Sequence, residues 1–426
     1  MIKKYITWFL YPTIAVIIGA QITIARTGPL TSITRFFALP LVFLWMIEKL
    51  RTLRFRSPHP LLGLLYLFFG WTLLSVMWAP DSSLAMKYIV TPLPALFIGW
   101  VMWENALDDQ STRRILQSVV VAGWLIFAQL TYNALKHQDV YASRAGTFAM
   151  DPNSAAFYLA LILPLAFYIG LDEKPYNKFV RFSNLIFPGA CFVAIVITAS
   201  RGGLVALGIA AIGTLFLVPV GFSRSDIRRP LTWAFSLAAS LSALMILKID
   251  IKAQVARLLS IATSAKTDQF TGRLPVWAAT LHLLSHAPIL GVGANGNRYF
   301  DVNAAIPISV GNIGLQTHNT PLEVITSYGI IGFFIFYFIF YQLGKEALKC
   351  NRIVKSTVAT FIVTFLIGSL SLSSEENVYL WVIISAYALL VYVRPAPLEE
   401  STSENLRKIR MTSKRLVPVK VNQYDS

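Results

Sequence analysis

Cysteine and charge are both scarce in this sequence. The chain contains two cysteines, Cys191 in an apolar run and Cys350 in a basic stretch, so neither a disulfide framework nor a cysteine-based metal site is available. Charged residues make up only 14% of the 426 residues, whereas 55% are hydrophobic and the mean hydropathy is +0.60. Such a composition excludes an ordinary soluble globular protein and indicates an integral membrane protein.

Long apolar runs dominate what the chain does contain. Most are about 17 to 22 residues long, enough to cross a hydrocarbon core of about 30 Å. They are continuous instead of alternating with a period of two, so they predict helices and not an outer-membrane barrel. We therefore predict an all-α polytopic membrane protein with about twelve transmembrane helices. The predicted spans begin near Tyr5, Arg35, Leu61, Tyr88, Ile115, Ser154, Phe182, Gly203, Leu231, Leu322, Thr357 and Asn377.

The first apolar run also has the charged start of a signal peptide. It is too long for one and lacks a small-residue cleavage site, so we expect it to be retained as a span. If both termini are cytoplasmic, most of the 37 lysines and arginines fall on the cytoplasmic side, as the positive-inside rule requires. Topology then explains the net charge of +16, and the basic clusters suit anionic lipid instead of nucleic acid.

Four regions follow from this topology. Residues 1–249 carry the predicted helices one to nine, and residues 322–393 carry helices ten to twelve. Between them, residues 250–321 form one large external segment, longer than a simple connector requires. Its stretch "GRLPVWAATLHLLSHAPILG" has the pattern of an amphipathic surface helix, and "GVGANGNRYF" predicts a flexible glycine-rich turn. Residues 394–426 are predicted to be a disordered basic cytoplasmic tail.

Arginines on the external side are not required by topology, so each raises the question of what anion it meets. Arg201, in "VITASRGGLVALG", lies at a predicted tight external hairpin, where Gly202 and Gly203 let the backbone turn or approach a ligand closely. Its guanidinium offers planar paired donors that suit a phosphate, although headgroup contact is the plain alternative. Arg144 precedes the sixth span and has the same two interpretations.

Polar residues flank these arginines. In "DPNS", Asp151 and Asn153 predict a helix start with a capping side chain. In "TDQFTGRLPVW", Arg273 and Trp277 lie four apart at the start of a predicted helix, where a tryptophan alone is usually an interface anchor.

A pair of histidines on the same helix has zinc-ligand spacing. His282 and His286 lie four apart in "HLLSH", but the glutamate of "HExxH" is missing and no third ligand is evident in the sequence. We therefore predict no metal site and no cofactor.

His318 is the most informative titratable residue. It stands in "THNTPLEVITSYGIIG", where the external segment gives way to the tenth span. Its imidazole titrates near neutrality and can accept a proton from a hydroxyl. Alone it would more often be structural. With arginines on the same face, it suits a reaction in which a lipid phosphate leaves and a hydroxyl attacks.

These motifs, in their order and on this topology, resemble the O-antigen ligase and polymerase superfamily of bacterial C-type membrane glycosyltransferases. The stretches that carry the resemblance are "RAGTFAMDPNSAAFYLALILPLA", "TASRGGLVAL", "TGRLPVW", "PILGVGANGN" and "THNTPLEVITSYGIIG". The resemblance implies a multi-pass protein of the bacterial inner membrane, with residues 250–321 and the active site facing the periplasm. It also implies transfer of a glycan from undecaprenyl pyrophosphate to an acceptor hydroxyl, without metal or nucleotide sugar.

The resemblance also implies roles for particular residues. By motif, His318 is the candidate general base or acceptor-positioning group, and Arg201 and Arg273 are candidates for the donor pyrophosphate. Arg144 matches a basic position ahead of the sixth span. A common family variant has histidine at the position of Asp151, so Asp151 is not assigned a catalytic role. The other candidates for substrate binding are Asn153, Asn319 and Trp277.

Several activities share this donor. We favour an O-antigen ligase whose acceptor is lipid A-core oligosaccharide, with a polymerase of O-antigen or exopolysaccharide as the alternative. The short end after span twelve disfavours the protein-glycosylating members, which often carry an additional domain. A twelve-helix transporter is disfavoured because the predicted spans are nearly free of charges and the polar motifs share one face.

Overall fold

The computed structural model describes residues 2–19, 33–136, 145–148, 150–171, 177–217, 256, 273–296 and 316–393. Regular structure within these residues is entirely helical, which confirms the all-α polytopic class. The predicted ninth span near Leu231, Arg144, most of the external segment and the basic tail lie outside the described residues.

The helices are numbered here in chain order. They are α1 (Ile2–Gly19), α2 (Ile33–Thr52), α3 (Pro60–Leu74), α4 (Ser82–Val90), α5 (Leu93–Asn105), α6 (Asp109–Leu135), α7 (Pro152–Leu171), α8 (Lys178–Thr198), α9 (Arg201–Ile212), α10 (Arg273–His286), α11 (Thr320–Ala347), α12 (Arg352–Gly368) and α13 (Val378–Tyr392). Short 3-10 turns at Ser75–Trp78 and Ser369–Ser371 extend α3 and α12, and a π turn at Gly213–Leu217 extends α9.

Seven of the described helical stretches are long and apolar enough to cross a membrane. They are Pro60–Trp78, Ser82–Asn105, Asp109–Leu135, Pro152–Leu171, Lys178–Thr198, Thr320–Ala347 and Arg352–Ser371. Shorter apolar helices cover Arg201–Leu215 and Val378–Tyr392. The count of twelve spans stays a prediction.

The helices α7 and α13 form the centre of the bundle. In α7, 89% of the most apolar window is buried, and the helix packs against α6, α8, α9 and α12. Its sequence is apolar on all sides, as a helix surrounded by other helices requires. Nearly every residue of α13 is buried as well. These two helices place their first residues, and the polar residues just before them, at one end of the bundle, called here the site end.

A cluster of charges and aromatic rings lies at the opposite end. The Lys49 ammonium is 2.6 Å from a Glu104 carboxylate oxygen, and both side chains are nearly buried. The Arg56 guanidinium stacks 3.4 Å from the centre of the Trp103 ring and donates to the Trp103 carbonyl at 2.6 Å. Paired cations of this kind are stable at a helix end because their charges and donors are satisfied together. The cluster joins the ends of α2 and α5.

The long helix α11 is broken at Gly329, whose φ of 66° lies in the left-handed region. The segment 287–293 after α10 supplies partners for the interrupted backbone. Val292 N–H donates to the Thr326 carbonyl at 2.8 Å, and Ile330 N–H donates to the Pro288 carbonyl at 2.9 Å. Because unpaired backbone groups are costly within a membrane, this pairing is what permits the break.

The described part of the glycine-rich stretch that follows α10 is therefore a turn, as predicted, and it is hydrogen-bonded to α11. Its flexibility stays a prediction. Gly291 and Gly293 have φ of 74° and 89°, and a Cβ at Gly293 would lie 2.5 Å from the Ala79 Cα. A Cβ at Gly291 would meet the backbone of Gly329 and Ser327. These glycines allow three backbones to pack closely.

We predict that Gly329→Ala destabilises the protein. An added Cβ would overlap the backbone of Ile289 and Gly291, and alanine disfavours the φ of 66°. We expect a loss of about 2 kcal/mol, seen as a lower Tm in detergent by near-UV circular dichroism. Gly63→Ala is the matched control, because a Cβ at Gly63 in α3 would meet nothing within 4 Å. Equal Tm values for the two variants would contradict the prediction.

Candidate active site

His318 lies in a tight turn that leads into α11. Its φ is 48°, a left-handed conformation that residues other than glycine rarely adopt, and its side chain is half-buried. The next residue, Asn319, is the N-cap of α11 and accepts a hydrogen bond from Leu322 N–H at 3.0 Å through its side-chain oxygen. The start of a helix predicted in this motif is therefore present. The carboxamide oxygen of Asn319 accepts this capping hydrogen bond. The substrate-binding role of Asn319 stays a prediction.

The connection between α12 and α13, residues Ser369–Asn377, forms the floor of the site; we call it the serine segment. Thr320 N–H and the Thr320 hydroxyl donate to the Leu372 carbonyl at 2.9 and 2.5 Å. In return Ser374 N–H donates to the Thr320 hydroxyl oxygen at 3.1 Å. All three residues are buried, so these bonds fix the start of α11 on the serine segment.

A cavity of about 120 Å³ opens beside His318. Polar groups from α7, the His318 turn, the serine segment and α13 line most of it. The lining residues are Met150, Asp151, Ser154, Gln316, His318, Leu372, Ser373, Asn377 and Tyr379. A small polar cavity at the end of an apolar bundle suits a ligand that carries hydroxyl groups.

Arg273 begins α10 and reaches the serine segment. Its Nη1 donates to the Ser371 carbonyl at 3.1 Å, which uses one of the five guanidinium N–H donors. Burial lowers the pKa of Arg273, and the nearby Asp151 carboxylate opposes that shift. An arginine pKa starts so high that the side chain stays charged. A permanent positive charge is thus held beside the cavity.

Arg201 is the first residue of α9, directly after the turn that ends α8. Ala199 adopts the left-handed conformation in that turn, with φ of 43° and ψ of 39°. The Ser200 side-chain oxygen accepts from Gly203 N–H at 3.0 Å and caps α9. The predicted tight hairpin is present, with Ala199 as its left-handed residue. Gly202 and Gly203 lie in the first turn of α9, so they do not make the backbone turn, and their close approach to a ligand stays a prediction.

The two glycines allow close packing instead. A Cβ at Gly202 would overlap the Ser371 hydroxyl, and a Cβ at Gly203 would overlap Ala156 in α7. The turn that carries Arg201 is therefore pressed against the same serine that receives the Arg273 hydrogen bond. Two of the arginines singled out from the sequence are thus brought to one segment.

Asp151 and Asn153 organise the start of α7. Asp151 accepts from the N–H groups of Asn153 and Ser154 at 2.8 and 3.3 Å, which confirms the predicted cap. The Ser200 hydroxyl donates to the Asn153 carboxamide oxygen at 3.0 Å and ties α9 to α7. Asp151, which the sequence gives no catalytic role, also lines the cavity.

Trp277 connects α10 to the His318 turn. Its indole N–H donates to the Thr317 carbonyl at 2.9 Å, and its ring is half-buried. This contact exceeds what an interface anchor needs, since it joins the helix that carries Arg273 to the residue preceding His318. The assignment of Trp277 and Asn153 to substrate binding stays a prediction, and Arg144 lies outside the described residues.

Three carboxylates at this site were not predicted from the sequence. Oxygen atoms of Glu323, Glu375 and Glu376 lie within 4.8 Å of one another, and Glu323 and Glu375 are buried. Oxygen ligands of this type suit Mg²⁺ or Ca²⁺, but the Glu323 carboxylate already accepts hydrogen bonds from Thr317 and Ser373. The adjacent acids of "SSEEN", between two apolar runs, were the available signal.

The histidine pair lies elsewhere on α10 and is exposed. The rings of His282 and His286 are 4.7 Å apart, and the His286 Nδ1 is 2.9 Å from the His282 carbonyl oxygen. Both imidazoles belong to the outer face of α10, whereas Val276, Thr280 and Leu283 are buried. The pair is thus separate from the cavity beside His318.

Two known proteins or families are similar to this chain. The chain is 23% identical over 371 residues to the teichuronic acid biosynthesis protein TuaE of Bacillus subtilis (strain 168). The aligned region covers 78% of this chain and 72% of TuaE. A family model described as O-antigen ligase matches residues 189–337, a stretch that contains Arg201, Arg273 and His318. The chain is a membrane glycan-processing enzyme of the transferase type. Residues 189–337 therefore match the O-antigen ligase family, the resemblance that the motifs of the sequence indicate.

Proposed function

We propose that this protein transfers an O-antigen glycan from undecaprenyl pyrophosphate to a hydroxyl of lipid A-core oligosaccharide. The reaction takes place at the periplasmic face of the bacterial inner membrane and needs no metal. One observation carries the proposal: the cavity beside His318 is bounded by the serine segment, against which both Arg273 and the turn of Arg201 pack. This arrangement supports the proposal, because the candidate proton acceptor and the segments that carry the two candidate phosphate-binding arginines border one cavity.

The mechanism is a direct displacement at the anomeric carbon of the donor sugar. The acceptor oxygen forms a bond to this carbon while the bond to the pyrophosphate oxygen breaks. Negative charge grows on the leaving pyrophosphate, and Arg201 and Arg273 neutralise it with fixed, permanently charged donors. His318 takes the proton of the attacking hydroxyl. Because the acceptor attacks opposite the leaving group, the anomeric configuration inverts.

Polar groups around the cavity suit the sugar that reacts. Asp151, Asn377 and Ser373 offer hydrogen-bond acceptors and donors, and the Tyr379 ring forms part of the wall. A volume of about 120 Å³ corresponds to about four water molecules, at the roughly 30 Å³ that each occupies in the liquid. This space suits part of one sugar unit near His318, with the rest of the glycan extending into solvent.

The charge distribution supports a periplasmic site. The basic residues Lys49 and Arg56 and the starts of α6 and α12 lie at the opposite end of the bundle from His318. By the positive-inside rule that end faces the cytoplasm. The donor headgroup then meets Arg201 and Arg273 at the periplasmic surface of the inner membrane.

A polymerase with the same donor is the alternative function. The name of TuaE refers to biosynthesis of teichuronic acid, a polysaccharide. This similarity supports a role in glycan assembly, whether the protein is a ligase or a polymerase. A deletion strain separates the two. Loss of all O-antigen with accumulation of lipid-linked polymer indicates a ligase, whereas core carrying a single repeat indicates a polymerase.

We predict that His318→Ala lowers kcat by at least about 100-fold, because a positioned general base contributes that much or more. Purified protein is reconstituted with a lipid-linked donor and an acceptor, and product glycan is measured. His282→Ala is the matched control, since His282 is an exposed histidine of α10 away from the cavity. Transfer by His318→Ala at the wild-type rate would remove His318 from the mechanism. Product formation in detergent would also rule out a transporter.

We predict that Arg273→Gln and Arg201→Gln each weaken transfer by roughly 100-fold in kcat/KM, because a charge that stabilises the leaving group is lost. The conservative Arg273→Lys recovers only part of the loss, since an ammonium lacks the paired donors of a guanidinium. Arg352→Gln, at the start of α12 and at the opposite end of the bundle, serves as control. Unchanged kcat/KM in both arginine variants would exclude them from pyrophosphate binding.

We predict that transfer continues unchanged after exhaustive treatment with EDTA. The carboxylates of Glu323, Glu375 and Glu376 make this a real test, because their oxygen atoms are close enough to share a cation. The measurement is the initial rate before and after chelation. A rate that falls with EDTA and returns with Mg²⁺ or Ca²⁺ would overturn the metal-independent mechanism.

A further inference from the structure

We infer that Glu323 is a positioning residue that holds His318 in its working conformation. Glu323 lies in the first turn of α11, one turn after the histidine, and is only 1% exposed. Its carboxylate accepts hydrogen bonds from Thr317, the residue before His318, and from Ser373 in the serine segment. This inference rests on the proposed role of His318 as base.

The contact with Thr317 is strong by geometry. The Thr317 hydroxyl donates to Glu323 Oε2 at 2.5 Å, and Thr317 N–H lies 3.4 Å from the same oxygen. Thr317 is itself only 1% exposed. A hydrogen bond between buried groups is stronger than the same bond in water, because the local dielectric constant is low.

His318 needs such support because its backbone conformation is unfavourable. A φ of 48° in a residue with a side chain persists only where the surroundings fix it. On one side Asn319 is fixed by its cap to Leu322 N–H. On the other side Thr317 is fixed by Glu323 and by the indole of Trp277. Glu323 is thus one of the groups that keep the turn from relaxing.

The same carboxylate also fixes a residue of the cavity lining. The Ser373 hydroxyl donates to Glu323 Oε2 at 3.2 Å, and Ser373 lines the cavity with His318. One oxygen atom therefore receives hydrogen bonds from the residue before His318 and from the serine segment. Displacement of that oxygen would move His318 and Ser373 relative to each other.

The first test compares Glu323→Ala with Glu323→Gln. Alanine removes the acceptor, so we expect kcat to fall roughly ten-fold with little change in the donor KM, as for a misplaced catalytic group. Glutamine keeps an oxygen that can accept the same bonds, so Glu323→Gln restores most of the loss. The matched control is Glu346→Ala, a glutamate near the other end of α11 that pairs with Lys349.

The second test uses Thr317, where the hydroxyl can be removed without changing the shape of the side chain. Thr317→Val lacks the donor, whereas Thr317→Ser keeps it. We expect Thr317→Val to match Glu323→Ala in kcat and Thr317→Ser to resemble wild type. The double variant of Thr317→Val with Glu323→Ala should cost no more than Glu323→Ala alone, because Glu323→Ala has already removed the Thr317–Glu323 hydrogen bond.

A readout independent of catalysis separates this inference from the proposed function. Diethyl pyrocarbonate modifies histidine imidazoles, and mass spectrometry gives the rate at His318 apart from the other four histidines. We expect Glu323→Ala and Thr317→Val to raise the His318 rate at an unchanged Tm, with the His282 rate constant. This result supports positioning even if His318→Ala proves active.

Three outcomes would overturn the inference. The first is wild-type kcat and modification rate in folded Glu323→Ala. A second is equal loss in Glu323→Ala and Glu323→Gln, which would assign the effect to the charge. Lastly, a fall in Tm that accounts for the lost activity, without a change in His318 reactivity, would reduce Glu323 to a helix-stabilising acid.

Discussion

The attachment of α11 to the serine segment is the interaction on which the site depends. Thr320 donates twice to the Leu372 carbonyl and accepts from Ser374 N–H, all within a buried environment. Buried polar groups that lose a partner are expensive, so this set has one favourable arrangement. His318 stands two residues before Thr320, and its position follows from that attachment. The position of His318 is therefore set by the hydrogen bonds of its neighbour Thr320 to the backbone of the serine segment.

A second constraint fixes the position of α10 relative to α11. The break of α11 at Gly329 leaves backbone groups that the stretch 287–293 satisfies, including the bond from Ile330 N–H to the Pro288 carbonyl. The Trp71 indole also donates to the Tyr328 carbonyl at 3.0 Å. Because α10 directly precedes this stretch, its distance from α11 cannot vary freely. Arg273, at the far end of α10, is thus carried to the serine segment by a rigid connection.

Much of the fold could be predicted from the sequence because the membrane imposes a simple rule on composition. Apolar runs near Leu61, Ser154 and Leu322 correspond to helices that begin at Pro60, Pro152 and Thr320. The helix starts at Asp151 and Asn319 could also be predicted, because the preference of these side chains for a helix start comes from short-range hydrogen bonds. Where one residue bonds to its near neighbours, a single sequence is informative.

The rest depended on contacts between distant parts of the chain. The serine segment resembles an ordinary connector until α10, α11 and α9 are seen to meet on it. Glu323 looks like a helix-start acid, and its bond to Ser373 becomes visible only when two residues fifty positions apart are brought together. Gly202 and Gly203 were predicted to let the backbone turn or approach a ligand closely, whereas their packing against Ser371 and Ala156 becomes visible only in the fold.

The site divides its charges between two sides of the serine segment. On the side of Ser371 lie the arginines, where a guanidinium already donates to a backbone carbonyl and has further donors for an anion. On the side of Ser373 lie the buried carboxyl groups of Glu323 and Glu375. In the proposed mechanism an anionic leaving group is therefore drawn toward Arg273 and Arg201. The acceptor hydroxyl, being neutral, can use the other side, where the histidine is held.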